Sequence, residues 1–159
     1  MTRGVPTAIM ANALIVLSLT PASGQRVEQW ESKAFENSAF VSDCRDCEED
    51  RIIAIDCKRG SPWVNVSLPG AAVENGKKNA RVKVVLSTKE FRRSYQGRID
   101  EQGLIGFLPE FKIRLSDPLF EALAKGQALQ IQTTGQTTTA SLNGSRAAIT
   151  KFKRACRHL

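Results

Sequence analysis

The chain has 159 residues and a net charge of +7, and 42% of its residues are hydrophobic while 25% are charged. That composition excludes a disordered or low-complexity protein, and the length suits one domain with a core of its own. Outside the cytoplasm, a basic protein is drawn to phospholipid headgroups, lipopolysaccharide, cell-wall polymers or acidic proteins, whereas nucleic acid is a poor candidate. The alternative is that the positive charge only keeps the protein soluble.

The first 24 residues have the pattern of a secretory signal. Arg3 is the only charged residue before the apolar run 8–19, and Ala22 and Gly24 have the spacing of a signal-peptidase site. The run is shorter than the roughly 20 residues that span a bilayer, and the alternative is a buried N-terminal helix. We expect residues 1–24 to be removed, and residues 25–159 to form a single domain that is periplasmic or secreted, without a stable membrane anchor.

Residues 26–42 predict an initial strand and loop, and the segment "FVSDCRDCEED" follows at residues 40–50. Its two cysteines, Cys44 and Cys47, lie among five acidic side chains, which disfavour the thiolate and hence redox activity. A metal site would need further ligands, and the only histidine is the penultimate residue, His158. We therefore expect a Cys44–Cys47 staple, no metal and no cofactor. The acidic segment, Asp43–Asp50, is also a candidate docking surface for a basic partner.

The middle of the chain predicts antiparallel strands. Residues 51–57 and 62–68 alternate apolar and polar side chains and are joined by a turn, which is typical of a hairpin. Further strands are predicted at 81–87, 90–99 and 104–108, and we expect Pro109 to interrupt the last of these before it continues at 110–115.

The C-terminal third changes character. Asp117 and Pro118 are placed to start a short helix that ends at Gly126, a Thr-rich hairpin follows, and the final helix begins at Gly144-Ser145. About eight short strands and two short helices predict a mainly β fold: a small antiparallel sandwich or barrel with the last helix packed on the sheet.

The periodicity also pairs two cysteines. Cys57 shares a strand face with Ile53 and Ile55, and Cys156 shares a helix face with Ile149 and Phe152. Both thiols therefore point to the core, and in an oxidising compartment they are expected to form a disulfide.

Catalytic machinery is difficult to find in this sequence. Because the only histidine is the penultimate residue, we do not expect a Ser-His-Asp or Cys-His catalytic arrangement. The sequence also contains no zinc-protease, phosphate-loop or dinucleotide-binding motif. The composition alone allows a hydrolase that uses two carboxylates. However, nothing in their spacing along the chain brings two of the candidate carboxylates together: Asp56, Asp100, Glu110 and Glu121.

The best binding feature is "TKEFRRSYQGR" at residues 88–98. Arginine forks suit phosphate or carboxylate, and an adjacent aromatic ring can stack on a sugar. On one strand, Phe91, Arg93 and Tyr95 share a face while Arg92 and Arg98 point the other way. We select Arg92, Arg93, Tyr95 and Arg98 as binding residues; the alternative is a charged edge strand that prevents aggregation.

Residues 115–156 resemble the C-terminal half of small exported bacterial proteins, namely the invasion-associated locus B-like proteins and the VasI-like accessory proteins of type VI secretion. The resemblance lies in a structural motif without a catalytic group: Leu142, Gly144, Ser145, Ala148, Phe152 and Cys156. It implies an envelope β-domain, and the acidic insert at Cys44–Cys47 departs from the pattern.

We therefore expect a non-enzymatic binding or accessory protein of the bacterial envelope that engages an anionic component or a protein partner. The alternative is an inhibitor or immunity-type protein whose acidic segment blocks a basic enzyme such as a lysozyme.

Overall fold

The structure is a computed structural model that describes Met1 and residues 29–44, 51–103 and 106–157. The expected signal segment, the acidic residues 45–50 and His158 lie outside these ranges, as do the side chain of Cys44 and all of Cys47. The predicted Cys44–Cys47 staple therefore stays a prediction. The described elements are β1 (Gln29–Ala34), β2 (Ser38–Cys44), β3 (Ala54–Lys58), β4 (Trp63–Ser67), a 3-10 turn (Pro69–Ala71), β5 (Arg81–Ser87), β6 (Arg92–Gln102), β7 (Gly106–Arg114), α1 (Leu119–Lys125), β8 (Ala128–Thr133), β9 (Gln136–Ser141) and α2 (Ser145–Arg157).

The nine described strands form one antiparallel sheet in the order β1-β2-β3-β4-β7-β6-β5-β8-β9. The predicted mainly β class with two helices is confirmed, with one strand more than expected. Because side chains alternate across a strand, one face of the sheet carries the core, for example Val84 and Leu86 on β5 and Leu129 and Ile131 on β8.

The sheet curls until its two edge strands meet. The indole Nε1 of Trp30 on β1 donates a hydrogen bond of 2.7 Å to the carbonyl oxygen of Ser141 on β9. Nearby, the hydroxyl of Thr138 on β9 donates to the carbonyl oxygen of Gly70 at 2.8 Å. The curl encloses the apolar face, which is why a single sheet buries a core in the manner of the expected sandwich or barrel.

Helix α2 covers one opening of the curled sheet. Its buried residues Ala148, Ile149 and Phe152 follow the predicted apolar stripe, and the Phe152 ring packs 6.0 Å from the ring of Phe120 on α1. Cys156 is bonded to Cys57 on β3 across a Cα–Cα distance of 6.0 Å, so the predicted disulfide is present and ties the helix to the sheet. No helix in the described part of the chain is long and apolar enough to cross a membrane.

The expected interruption of a strand at Pro109 is wrong. Strand β7 runs through this residue from Gly106 to Arg114, and Pro109 pairs with Ile99 of β6. The carbonyl of Pro109 accepts from the backbone N–H of Leu68, one residue beyond the end of β4. The nitrogen of Pro109 faces the same side of β7, beyond the last residue of β4. The regular β4–β7 ladder does not continue there, so the missing N–H of Pro109 costs the sheet no hydrogen bond.

The disulfide gives the first testable prediction. Because it closes a separation of 99 residues, the double variant C57A/C156A is expected to lose roughly 3–5 kcal/mol of unfolding free energy, measured by urea denaturation. The variant retains Cys44 and Cys47, so the difference reports on this bond alone. An unchanged urea midpoint would contradict the assigned role.

Candidate functional site

The sheet opens between β6 and β7. Their ladder runs only from Arg98↔Glu110 to Gln102↔Gly106; the earlier part of β6 pairs with β5 and the later part of β7 pairs with β4. Gly97 lies at the point of separation, where a Cβ atom would come within 2.5 Å of the carbonyl oxygen of Glu110. Only glycine permits so close an approach of the two backbones, so Gly97 fixes where the strands part.

An open depression of about 640 Å³ lies at this separation. Its buried side is Phe111, whose ring stacks on the ring of Tyr95 at a centroid distance of 4.8 Å. Backbone from Gly97 and polar side chains from four strands complete the lining: Asn65, Arg81, Gln96, Arg98, Glu110 and Lys112. We call this depression the β6–β7 groove.

Three exposed cations surround the β6–β7 groove. Arg81 and Arg98 are direct partners in the β5–β6 ladder, and Lys112 lies on β7. Like charges directly opposite each other destabilise a sheet. Within the described ranges, none of the three forms an ion pair. The groove thus places three cations without ion pairs beside the single carboxyl of Glu110, and this excess of positive charge suits an anion.

Glu110 is the acidic member of the lining. Partial burial is the main reason that its pKa is raised, and the nearby carboxylate of Asp100 raises it further; a hydrogen bond from Gln102 Nε2 at 2.6 Å works in the opposite direction. Asp56 also raises the Glu110 pKa, so two of the other carboxylates considered for a hydrolase, Asp100 and Asp56, lie near enough to act on Glu110. Glu121 lies apart on α1, where its salt bridge with Lys125 lowers its pKa.

These carboxylates are not arranged as a metal centre. Among the residues that the structure describes, no group of three or more His, Cys, Asp or Glu is placed to hold a metal ion. The groups that the groove presents are three cations, two amides and one partly buried carboxyl.

The four predicted binding residues are divided between the two faces of β6. Arg92 and Arg98 are exposed on the outer face, and only Arg98 lines the groove. Tyr95 points into the core, with 8% of its surface exposed, and Arg93 shares that side. The alternation of the strand was predicted correctly, but it removes Tyr95 from the surface on which it was expected to bind.

Tyr95 and Arg93 converge on Asp117. The Tyr95 hydroxyl donates to Oδ1 of Asp117 at 2.9 Å, and Arg93 Nη1 lies 3.1 Å from Oδ2. Oδ1 also accepts the backbone N–H of Leu119, the first residue of α1, so Asp117 anchors the start of that helix, although the N-cap position itself is Pro118. Burial and the Asp117 carboxylate hold the pKa of Tyr95 well above its ordinary value, so the phenol stays neutral. This cluster fixes the β7–α1 junction.

Asp43 likewise has a structural position. It is buried, and its Oδ1 accepts backbone N–H groups from Ile52 at 2.9 Å and Ile53 at 2.8 Å. One carboxylate thus joins the two ends of the acidic segment. Asp43 is unavailable as part of the docking surface considered for that segment, and the acidic residues that remain there lie outside the described ranges.

Sequence reasoning missed the partners of Arg98. Arg81, Lys112 and Asn65 come from three other strands, and only the strand order brings them to one groove. Period-two alternation assigns each of them to the polar face of its strand. The sequence predicts hairpins of consecutive strands, but it does not predict that β4 and β7 are neighbours.

Comparisons with known proteins bear on the fold. No family model matches the sequence, and no curated protein matches it. Among solved structures, the chain is similar to the crystal structure of invasion associated protein B from Bartonella henselae, with a TM-score of 0.51 and 15% sequence identity, over 79% of this chain and 92% of that chain. At this identity the likeness concerns the fold, and at that level the predicted resemblance to the invasion-associated locus B-like proteins is confirmed.

The Asp117 cluster predicts that Tyr95 stabilises the fold and does not bind ligand. The variant Tyr95→Phe keeps the ring stack on Phe111 but loses the hydrogen bond to Asp117, so its unfolding free energy should fall by roughly 1–2 kcal/mol in urea denaturation. Ser94→Ala, on the exposed face of the same strand, is the matched control and should change stability by less than about 0.5 kcal/mol. A Tyr95→Phe variant of unchanged stability would contradict this role.

Glu110 gives a prediction about pH. Because its pKa is raised in the folded state, the folded protein binds this proton more tightly than the unfolded chain does. The stabilising contribution of Glu110 is complete below the unfolded pKa, near about 4.3, and is lost as the pH rises through the folded value. Glu110→Gln should therefore unfold at higher urea than the parent at about pH 7, and the difference should shrink toward about pH 4. A difference that does not depend on pH would contradict the assignment.

Proposed function

We propose that this chain is an exported, non-enzymatic binding protein that engages an anionic component of the bacterial cell envelope through the β6–β7 groove. The observation that carries the proposal is the facing pair of Arg81 and Arg98, neither of which forms an ion pair with a carboxylate in the described ranges. The proposal retains Arg98 from the sequence-based set and adds Arg81 and Lys112.

The physical argument is one of unrelieved repulsion. Two guanidinium groups on directly opposed residues repel each other, yet the groove lining keeps both of them beside Lys112. A phosphate, sulfate or carboxylate group accepts hydrogen bonds from both arginine forks and turns the repulsion into attraction. Glu110 lies opposite Arg98, but its Oε1 accepts a hydrogen bond from Gln102 and, among the described residues, it forms no ion pair with Arg98.

Two observations support export. A disulfide that closes most of the domain is typical of proteins that fold in an oxidising compartment. The first 24 residues have the composition of a cleaved signal. We accordingly propose a periplasmic or secreted location, and no cofactor enters the proposed function.

The inhibitor alternative receives no such support. It depends on the acidic segment, and the one acidic side chain of that segment within the described ranges, Asp43, is engaged by the backbone of Ile52 and Ile53.

Charge reversal at the groove tests the proposal. Arg98→Glu should weaken binding of soluble polyphosphate by about tenfold or more, because it removes one fork and places a carboxylate beside Arg81. Fluorescence anisotropy at low and at physiological salt measures the affinity, and salt should weaken binding by the parent.

The matched control is Lys151→Glu. Lys151 is an exposed cation on α2, so this variant changes the net charge of the protein by the same amount. Equal losses in Arg98→Glu and Lys151→Glu would mean that only overall charge matters, which would overturn the assignment of the groove.

A further inference from the structure

An exposed aromatic side chain lies on the same sheet face as the β6–β7 groove. Trp63 on β4 is 47% exposed, and alternation along the strand puts it on the outer face with Asn65, away from buried Val64. Its partner on β7 is Arg114. Arg114 lies two residues along the strand from Lys112, on the same face, and Lys112 lines the groove. The aromatic ring is therefore continuous with the cationic site.

The Trp63 ring is held in a fixed orientation. The guanidinium of Arg114 stacks over it at 4.9 Å. The Ser61 hydroxyl accepts the backbone N–H of Trp63 and donates to its backbone carbonyl oxygen, each at 3.1 Å, so these bonds hold the main chain from which the ring projects. A preorganised ring loses little conformational entropy when a ligand stacks on it. Trp63 is thus built as a contact surface, in contrast to an exposed side chain that is free to rotate.

The strand pairs define the order of groups along this face. The successive partners are Trp63↔Arg114, Asn65↔Lys112, Ser67↔Glu110, Glu110↔Arg98 and Arg98↔Arg81. With about 7 Å between alternate residues of a strand and about 4.8 Å between strands, Trp63 and Arg81 mark the ends of a track of roughly 20 Å. This length accommodates several repeating units of a linear polymer.

Neutral amides alternate with the cations of this track. Asn65 donates its Nδ2 to Asp56 at 3.0 Å, which leaves its amide oxygen directed to accept a hydrogen bond. Gln96 presents a second amide beside Arg98. Amides match hydroxyl groups, guanidinium and ammonium groups match acidic substituents, and an indole face matches the C–H face of a sugar ring.

We infer that the ligand of the β6–β7 groove is an acidic glycan, with one sugar ring stacked on Trp63 and its acidic groups held by Lys112, Arg98 and Arg81. This inference rests on the proposed function and names the ligand class. A bare polyanion would not use the indole or the amides. Binding sites for single-stranded nucleic acid present several aromatic rings in succession, on which successive bases stack. On this face, the described strands present one large exposed aromatic side chain, Trp63.

The test compares two probes on three variants. A chondroitin sulfate oligosaccharide supplies sugar rings with acidic groups, and polyphosphate of similar length supplies charge alone. Trp63→Ala should weaken glycan binding by roughly tenfold and leave polyphosphate binding within about twofold, whereas Arg98→Glu should weaken both. Phe35→Ala, at an exposed aromatic on the β1–β2 turn, is the control and should change neither.

Tryptophan fluorescence provides a second measurement. The chain has two tryptophans, and Trp30 is buried with its Nε1 bonded to Ser141, so an emission shift on adding glycan reports on Trp63. The shift should be absent with polyphosphate and absent in Trp63→Ala.

The outcomes separate the two proposals. If Arg98→Glu weakens binding of both probes but Trp63→Ala weakens neither, the anion site stands and the glycan assignment is wrong. If Arg98→Glu leaves binding of both probes unchanged, the proposed function itself fails. Tighter binding of oligothymidylate, or of vesicles containing phosphatidylglycerol, than of the glycan would overturn the glycan class in favour of nucleic acid or a lipid surface.

Discussion

The apolar face of a single nine-stranded sheet has to be covered, and every other feature of this protein depends on how the chain covers it. The sheet curls until β1 and β9 meet at the Trp30–Ser141 hydrogen bond, and α2 is laid over the remaining opening. The Cys57–Cys156 bond joins that helix to β3, so the helix cannot separate from the sheet unless the core opens as well. Burial of the apolar face provides the driving force for folding, and the disulfide reduces the conformational entropy of the unfolded chain.

The strand pairing also explains where the candidate site lies. Among the described pairs, the β6–β7 ladder ends at Arg98↔Glu110, and beyond it β6 pairs with β5 and β7 pairs with β4. At that point the backbones approach too closely for any side chain but that of Gly97. The gap is closed on the inside by the Tyr95–Phe111 stack and stays open on the outside, where polar residues face it. The groove is therefore a consequence of the fold, and its charge is a property of the sequence.

Local patterns predicted most of the fold because they report local physics. Alternation identified the strands and their buried faces, the spacing of Ile149, Phe152 and Cys156 identified the inner face of α2, and both patterns together paired Cys57 with Cys156. Pro109 was misjudged because a proline ends a strand only where its nitrogen faces a partner, and the partner is a tertiary fact. The same limit applies to the candidate groove: Arg98 stands out in a basic strand, whereas Arg81 and Lys112 are brought beside it only by the order of β5, β6 and β7 in the sheet.

The similarity to invasion associated protein B from Bartonella henselae separates what maintains this fold from what gives it a function. A likeness with a TM-score of 0.51 at 15% identity means that the architecture tolerates replacement of most side chains. Inner-face positions tolerate exchange only among apolar residues of similar size, because they must fill the curled core. Outer-face positions carry no such constraint, so Arg81, Arg98, Lys112 and Trp63 are not needed to make the sheet. Recognition of an acidic ligand, as we propose, would account for their placement on the outer face along and beside the β6–β7 groove.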